Sequence, residues 1–362
     1  MRLAGFGLYC YELPLSEPLP LGGSRLHHRE GLLVELASDG GAAGWGEAAP
    51  LPGFSREGLD EVISQLRTLA SSTMGRGVSE DILDPEGVLA RELDVMDLAP
   101  SARFGFELAL WNLWAVSSGK ALPELVTISP RAAVPVNALI SPDHAVEEAR
   151  LARAAGYEAV KLKVGARSVE DDVELVRAVR GALGDAASLR LDANRAWSLE
   201  EAERFARAAS ALGFEYVEEP LADPAQLPLL AGSHDLPVAL DESLADMEPE
   251  ALEDHGYAQA VVLKPTLLGG ITRTLRFARC ASRLGVRPVI STAYETGVGT
   301  TALVALAAGV GGEEVPAGLD TYRQFAGDVI RPRLELSAPR VDVRALFGER
   351  REIEHDSLRP VG

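Results

Sequence analysis

Cysteine is nearly absent from this chain of 362 residues, and long apolar runs are missing as well. The two cysteines, Cys10 and Cys280, lie far apart, which argues against a disulfide framework or a cysteine-based metal site and favours a reducing compartment. The N-terminus lacks the apolar core of a signal peptide. The longest uncharged run, residues 296–312, contains five glycines and is too short to span a bilayer comfortably. We therefore expect a cytoplasmic protein with no membrane partner.

Positive charge is also in short supply. The formal net charge is −19, and no block rich in lysine or arginine stands out. Such a charge repels nucleic acid and anionic membranes, so neither is expected as a partner. Because the chain is longer than one average domain, we expect one large barrel and a smaller domain. Whether the chain forms a homo-oligomer stays open.

Lysine occurs at only four positions, which are Lys120, Lys161, Lys163 and Lys264. Arginine supplies the other positively charged side chains, and arginine cannot deprotonate in a protein, whereas lysine can. A lysine-poor genome would explain the low total. It would not explain why three of the four lie in the strand-like segments VKLKVG and VVLKP. The clustering predicts that these lysines take part in proton transfer.

Short β-branched runs alternate with helical patterns from about residue 134 onward, which is typical of repeated βα units. The runs cover residues 134–140, 159–163, 189–192, 216–219, 238–241, 260–264, 288–291 and 318–320. Ser198 and Glu201 form a capping box at the start of one intervening helix. Eight strands with helices between them predict a closed α/β barrel rather than an open sheet.

Each of the last seven predicted strands ends in a polar residue. These residues are Lys163, Asp192, Glu218, Asp241, Lys264, Ser291 and Asp320. Each step between neighbours has the length of one βα unit, so all seven are expected on the C-terminal rim of the barrel, where active sites lie.

Three of these side chains are carboxylates on consecutive strands, namely Asp192, Glu218 and Asp241. Unpaired, they would repel one another, and a hard divalent cation relieves that repulsion. All-oxygen ligation suits Mg²⁺, and Mn²⁺ would fit the same ligands. Lysines on either side of such a metal suit removal of a proton next to a carboxylate. The alternative interpretation pairs the carboxylates with arginines in a structural network.

Longer motifs resemble the enolase superfamily. They are VKLKVG, LRLDANRAW, VEEP, ALDES, VVLKPTLLGG, VISTAYETGVG and GLDTY. Residues 25–36, 44–55 and 104–115 resemble the capping domain of the o-succinylbenzoate synthases of the menaquinone pathway. The resemblance implies an α/β fold, a modified (β/α)7β TIM-like barrel with an N-terminal α+β capping domain. It implies a capping domain at 1–125, a catalytic barrel at 126–325 and a C-terminal tail at 326–362 that returns to the capping domain.

The resemblance also implies a reaction and a set of roles. The family removes water from 2-succinyl-6-hydroxy-2,4-cyclohexadiene-1-carboxylate, a small-molecule carboxylate, to give o-succinylbenzoate. Lys163 would be the base. The like charge of Lys161 nearby would lower the pKa of Lys163. Lys264 would stabilise the enediolate from the opposite face. The first acid of the E-(E/Q)-P motif is the family's metal ligand, so Glu218 rather than Glu219 would join Asp192 and Asp241 on Mg²⁺.

Substrate contacts implied by the resemblance are spread over several segments. They are Arg190, Asn194, Ser291, Thr292, Gly22, Ser24 and Gly297. The segment around Gly297 mimics a dinucleotide fingerprint, but no strand-end acid follows at the required distance. We interpret it as an anion-binding loop at a helix N-terminus or as a tight turn. Glu47 is expected to be structural.

Three other functions stay open on the sequence. An N-acylamino acid racemase or dipeptide epimerase would use the same machinery, with Lys163 and Lys264 as bases on the two faces. A Schiff-base aldolase would use a lysine as a nucleophile, but that chemistry needs no metal carboxylates. A non-catalytic barrel would be expected to have lost Lys163 or one of the carboxylates, and all are present.

Overall fold

The structure is a computed structural model that describes residues 1–21, 24–233, 235–310, 314–336 and 338–361. Predicted substrate contact Gly22 lies outside the described residues, and so does the side chain of Ser24. Among the helices of the described ranges, none has both the length and the apolar composition needed to cross a membrane.

The N-terminal part of the chain is an antiparallel sheet packed against helices. Its strands are β1 (Leu3–Leu21), β2 (Ser24–Ser38) and β3 (Ala43–Ala48). Its helices are α1 (Leu59–Thr73), α2 (Val88–Asp94), α3 (Pro100–Ser118) and α4 (Leu122–Val126). Helix α3 lies directly on β3, where a Cβ at Gly46 would overlap the carbonyl of Gly105. Glycine is therefore required at Gly46 for this close approach.

The central part of the chain alternates strands with helices. Its strands are β4 (Ala133–Pro135), β5 (Ala138–Ile140), β6 (Ala159–Lys163), β7 (Ser188–Asp192), β8 (Tyr216–Glu218), β9 (Val238–Leu240), β10 (Ala258–Leu263) and β11 (Arg287–Ile290). Its helices are α5 (Ala145–Ala155), α6 (Val169–Leu183), α7 (Leu199–Ala209), α8 (Leu227–Ser233), α9 (Pro265–Leu268), α10 (Ile271–Leu284) and α11 (Gly297–Gly309). The predicted capping box at the start of α7 is present.

Strands β5 to β11 form one parallel sheet in chain order. Register places Lys163 beside Asp192 and Asp192 beside Glu218, so the strand-end side chains are neighbours. The edges of this sheet are joined through Ala317 and Gly318. Asn137 N donates to Ala317 O at 2.9 Å, and Gly318 N donates to Ile290 O at 2.9 Å. The sheet is therefore curled, with its two edge strands linked by a short segment.

Two predicted strands differ from the structure. The run at 134–140 is split into β4 and β5, because β4 pairs antiparallel with a C-terminal strand while β5 joins the parallel sheet. The run at 318–320 contributes one isolated bridge, at Gly318, next to another at Ala317, and a 3₁₀ turn begins at Asp320. Local β propensity does not show which strand a segment pairs with or where the pairing ends.

The C-terminal segment returns to the N-terminal sheet and to β4. Its elements are β12 (Ile330–Arg331), β13 (Arg340–Asp342), α12 (Val343–Gly348), β14 (Glu352–Ile353) and β15 (Leu358–Pro360). Strand β13 pairs with β4, and β15 pairs with β1 of the N-terminal sheet. The end of the chain is thus hydrogen-bonded to its beginning.

Two buried glutamates of the N-terminal part cap helices that follow barrel strands. Glu107 on α3 accepts hydrogen bonds from Thr272 N (2.9 Å) and Thr272 Oγ1 (2.6 Å) at the start of α10. Glu47 on β3 accepts from Thr296 N and Gly299 N, both at 2.8 Å, at the start of α11. Each carboxylate satisfies N–H groups that have no partner within the helix and lies at the positive end of its dipole. The two parts of the chain are joined by these contacts.

Candidate active site

The predicted lysines and carboxylates lie together at the C-terminal ends of the parallel strands. Asp192 ends β7 and Glu218 ends β8, while Asp241 directly follows β9. Lys161 and Lys163 both lie on β6, and Lys264 directly follows β10 on the far side of the carboxylates in strand order. The three carboxylates are buried.

Lys161 lies between two of the carboxylates. Its Nζ is 2.9 Å from Asp192 Oδ2 and 2.8 Å from Glu218 Oε1. Burial alone would lower the pKa of Lys161, but Asp192 and Glu218 raise it well above its ordinary value. Lys161 therefore stays protonated and acts as a fixed positive charge beside the carboxylates.

Lys264 is held in the same way from the opposite side. Its ammonium forms an ion pair with Asp241, and its side chain is largely buried. Burial would lower the pKa of Lys264, yet the carboxylates of Asp241 and Glu218 raise it above its ordinary value. Lys264 is therefore a cation at neutral pH and suits the stabilisation of negative charge.

The carboxyl groups outnumber these two cations, and half-buried Glu242 adds a fourth that interacts with Asp192 and Glu218. Burial and the charge of Asp192 raise the pKa of Glu218 to about 8. Burial also raises the pKa of Asp241 to about 6, against the opposing effect of Lys264. Only Asp192 has a lowered pKa, because the nearby lysines, Lys161 first, outweigh its burial. Without a metal ion, the raised pKa leaves Glu218 largely protonated at neutral pH, so the two lysines do not supply enough positive charge to ionise all the carboxyl groups.

A divalent cation would supply the missing positive charge. Glu218 Oε2 is buried and has no hydrogen-bond partner in the described part of the chain. As the side chains stand, no three His, Cys, Asp or Glu side chains among the described residues are grouped to hold a metal ion. Lys161 and Lys264 bind the carboxylates instead. The donor set, three carboxylates with one free oxygen, matches the preferences of Mg²⁺ and Mn²⁺.

Lys163 differs from the other two lysines because its partner is neutral. Its side chain is exposed, and its Nζ donates to Asn194 Oδ1 at 2.8 Å. Within the described ranges Lys163 forms no ion pair. Asn194 Nδ2 in turn donates to Glu242 Oε1 at 3.1 Å, so the amide is held from both ends. Asn194 adopts a left-handed backbone with φ of 42°, which is uncommon outside glycine.

Asn194→Gly is expected to lower kcat by about 10-fold to 100-fold with little change in KM, as for groups that orient a reacting side chain. Glycine keeps the left-handed backbone and removes only the amide that aims Lys163. Steady-state kinetics with a melting curve as the control for folding would check this. A rise in KM at constant kcat would instead mean that Asn194 binds substrate.

Glu219 has a different role from its neighbour Glu218. Its Oε1 accepts from Asp241 N (2.9 Å) and Ser243 N (2.8 Å), and its Oε2 accepts from Arg195 Nε at 3.0 Å. Both of its oxygens thus accept hydrogen bonds from the loops after β7 and β9, whereas Lys161 bonds to Glu218. The geometry favours Glu218 over Glu219 as the ligand.

Two cavities meet at this centre and share Phe54, Lys163, Asn194 and Lys264. The larger, of about 620 Å³, lies between the loop at residues 53–57 and the strand ends. The smaller, of about 70 Å³, also touches Lys161, Asp192, Ser291, Thr292 and Tyr294. Lys163 and Lys264 thus line both cavities.

Comparisons with known proteins show the family of this chain. Residues 144–349 match the family model described as Enolase C-terminal domain-like, and residues 1–113 match the one described as MenC, N-terminal domain. The chain is 33% identical to the o-succinylbenzoate synthase of Aliivibrio fischeri over 93% of this chain and 94% of that protein. The chain belongs to the o-succinylbenzoate synthase family. As a member of that family within the enolase superfamily, it is an enzyme of the carbon–oxygen lyase class, as predicted.

Solved structures of other enolase-superfamily enzymes share the fold. The L-Ala-D/L-Glu epimerase from Bacillus subtilis superimposes with a TM-score of 0.82 at 25% identity, covering 94% of this chain and 96% of that one. The N-succinyl Arg/Lys racemase from Bacillus cereus gives a TM-score of 0.86 at 21% identity, with all of both chains covered. The predicted α/β, enolase-like fold is confirmed.

Two residues predicted to contact the substrate, Arg190 and Gly297, line neither cavity. Arg190 is buried below the rim, where its Nε is 2.9 Å from Glu215 Oε2 and its Nη1 donates to Pro316 O. Gly297 donates its N–H to Asp328 Oδ1 at 2.9 Å and touches neither cavity. Their partners are far away in sequence, so local patterns could not reveal them. Arg190 is buried, and its guanidinium forms a structural ion pair with Glu215.

Other predicted contacts do line the site. Ser291 and Thr292 both line the smaller cavity, and Asn194 lines both. The prediction missed Phe54, Arg195 and Glu242, which also line the larger cavity. Arg195 and Glu242 directly follow Asn194 and Asp241 in sequence, so adjacency to a strand-end residue was an available signal. Phe54 comes from a loop of the N-terminal part and had no such signal.

Proposed function

We propose that this chain dehydrates 2-succinyl-6-hydroxy-2,4-cyclohexadiene-1-carboxylate to o-succinylbenzoate for menaquinone biosynthesis. The observation that carries the proposal is the contrast between two lysines that line the same cavities. Lys163 has a neutral amide partner, whereas Lys264 is paired with Asp241 and kept cationic. One lysine is thus suited to remove a proton and the other to stabilise the resulting charge. Membership of the o-succinylbenzoate synthase family supports the choice of substrate.

The architecture proposed for this function is a modified (β/α)7β barrel under a capping domain. The links from Ala317 and Gly318 to both sheet edges support an eighth, very short strand. We propose a capping domain at 1–125, a catalytic barrel at 126–325 and a tail at 326–362. Pairing of β15 with β1 supports the return of the tail to the capping domain.

Asp192, Glu218 and Asp241 are proposed to hold Mg²⁺, and Mn²⁺ would suit the same oxygens. The free Oε2 of Glu218 and the excess of buried carboxylates support this assignment. When bound, the cation would supply positive charge next to the substrate carboxylate. Lys161 would keep its carboxylate partners oriented.

Lys163 is proposed to take the proton α to the substrate carboxylate on its neutral amine. The electron pair of the broken C–H bond moves into the carboxylate as an enediolate, which Lys264 stabilises as a cation. Collapse of the enediolate forms the ring C=C bond and expels the hydroxyl group. The ammonium of Lys163 returns the proton to that hydroxyl, so water leaves and the base is regenerated.

Removal of metal is expected to abolish this turnover. Purified protein with Mg²⁺ should consume the cyclohexadiene carboxylate. The loss of diene absorbance measures this turnover. A chelator should reduce the rate to background, and added Mg²⁺ should restore it. Turnover that persists unchanged in chelator would contradict the metal site.

A racemase or epimerase of N-acylamino acids or dipeptides is the second candidate. It is favoured by the fact that Lys163 and Lys264 line the same cavities from two sides, as a two-base mechanism needs. Exchange of the α-proton of an N-acylamino acid in D₂O, without turnover of the diene, would move the assignment there. Trapping of a lysine adduct by borohydride would instead point to an aldolase. The cytoplasmic location and the absence of nucleic-acid partners stay predictions from composition.

A further inference from the structure

Arg29 on β2 is a buried arginine whose hydrogen bonds within the described part of the chain all go to backbone carbonyls. Its side chain donates to the carbonyl oxygens of Pro50 (2.6 Å), Ala49 and Tyr294 (3.1 Å), and more weakly to that of Ala293 (3.4 Å). A further bond goes to Glu30 O at 3.0 Å. The residue is only 1% exposed, and among the described residues it forms no ion pair. Burial of a charge without a counter-ion is costly. The carbonyl oxygens therefore offset this cost by accepting hydrogen bonds from the guanidinium.

The carbonyls belong to two segments that enclose the site from opposite parts of the chain. Ala49 and Pro50 lead into the loop at residues 51–57, which lines both cavities. Ala293 and Tyr294 follow Thr292, which with Tyr294 lines the smaller cavity. One guanidinium therefore joins the two walls of the substrate cavity.

The barrel segment needs such support, because Tyr294 has a left-handed backbone with φ of 61°. That conformation is unfavourable for a bulky residue and persists only where its surroundings hold it. Arg29 Nε binds the carbonyl of Tyr294 itself. The planar guanidinium presents five donors in a fixed geometry, whereas the ammonium of lysine presents three from a single point. Lysine could not span both segments at once.

We propose that Arg29 is a positioning residue that fixes the distance between the loop at 51–57 and the segment at 292–296. It thereby sets the shape of the cavity that binds the carboxylate substrate. The kinetic part of this proposal rests on the proposed function. Because Arg29 touches no residue of the lysine and carboxylate cluster, its loss should affect substrate binding more than the chemical step.

The test compares Arg29→Met and Arg29→Lys with the control Arg103→Met. Arg103 is also a buried arginine of the N-terminal part that reaches the barrel, through Thr272 Oγ1 at 3.1 Å. It lines neither of the two substrate cavities. Two measurements are made on each full-length variant. The first is hydrogen exchange of the peptides covering 49–57 and 291–297 without substrate, and the second is steady-state kinetics on the cyclohexadiene carboxylate.

In both Arg29 variants, hydrogen exchange in these two peptides should be faster than in the wild type. KM should rise about 10-fold or more, while kcat should change less than about threefold. This pattern indicates loss of substrate binding rather than loss of the chemical step. Guanidinium at low millimolar concentration should partly restore KM in Arg29→Met. Arg103→Met should change exchange around 94–107 and 270–276 and leave both site peptides as in the wild type.

Equal effects of Arg103→Met on the site peptides would overturn the proposal, since Arg29 would then only attach the two parts of the chain. Unchanged exchange and KM in Arg29→Lys would overturn it as well. Arg29→Lys keeps a buried positive charge, so it preserves the test if Arg29→Met does not fold. A wild type that fails to turn over the diene would defeat the proposed function, while the exchange experiment would still decide the role of Arg29.

Discussion

Arginine in place of Lys163 is expected to lower turnover by at least about 1,000-fold, near the upper part of the range for loss of a general base. Arginine in place of Lys264 should cost less than about 100-fold, since a cation is kept where negative charge develops. The contrast arises because arginine cannot release its proton at neutral pH, whereas it can act as a fixed positive charge. Rates of both variants on the cyclohexadiene carboxylate, with Mg²⁺, would be compared.

The different partners of the two lysines support this asymmetry. Asp241 and Glu218 raise the pKa of Lys264, against its burial, so its cationic form is favoured already in the resting protein. Lys163 instead donates to the amide oxygen of Asn194, so its hydrogen-bond partner is a neutral group. Both lysines lie at the C-terminal edge of the same parallel sheet, where a larger side chain could disturb packing. Melting curves of both variants would therefore serve as the control for folding.

Equal loss of activity in Lys163→Arg and Lys264→Arg would contradict the division of roles. It would mean that both lysines must exchange protons, as in a racemase. The same pair of variants, tested for α-proton exchange on an N-acylamino acid, would then show which lysine serves which enantiomer.

The sequence was most informative where function depends on positions along parallel strands. Strands in register bring their ends to one edge, so the spacing of Lys163, Asp192 and Glu218 was enough to predict that they are neighbours. Motif resemblance added the choice of Glu218 over Glu219, which the structure favours through the different hydrogen bonds of the two carboxylates. Periodicity alone could not have separated two adjacent glutamates.

Contacts between distant segments were beyond the sequence. Glu47, expected to be structural, caps α11 from β3 across 249 positions, and the Arg29 Nε bond to Tyr294 O spans 265. Neither spacing has a periodic signature, because the relative placement of the N-terminal sheet and the barrel is decided by packing of whole surfaces. The same limit explains Gly297, whose N–H is taken by Asp328 from the C-terminal segment.

Glutamine in place of Glu218 is expected to change activity and stability in opposite directions. Loss of a ligand should lower Mg²⁺-dependent turnover by roughly 1,000-fold, as for removal of a group that stabilises developing charge. Metal-free Glu218→Gln should be more stable than metal-free wild type at pH 8, on the order of 1–4 kcal/mol, because one buried excess charge is gone. Denaturant unfolding in chelator would measure the free energy of unfolding.

The pH dependence of metal-free stability gives the sign of this effect. The pKa of Glu218 in the folded protein, about 8, lies above the ordinary carboxyl value, so the folded state keeps a proton that the unfolded state has released. Stability contributed by this proton is complete at low pH and is lost as the pH rises through about 8. Wild-type stability in chelator should therefore fall between pH 5 and pH 8, and the fall should be smaller in Glu218→Gln.

Addition of Mg²⁺ should reverse the order of the two proteins. Binding to the folded state alone stabilises the wild type by mass action, and Glu218→Gln should lose most of this gain. Glu219→Gln is the matched control, because its carboxylate accepts from Asp241 N, Ser243 N and Arg195, so it should lose stability with or without metal. If Mg²⁺ raised the melting temperature of Glu218→Gln as much as that of the wild type, Glu218 could not be a ligand, and its free oxygen would need another explanation.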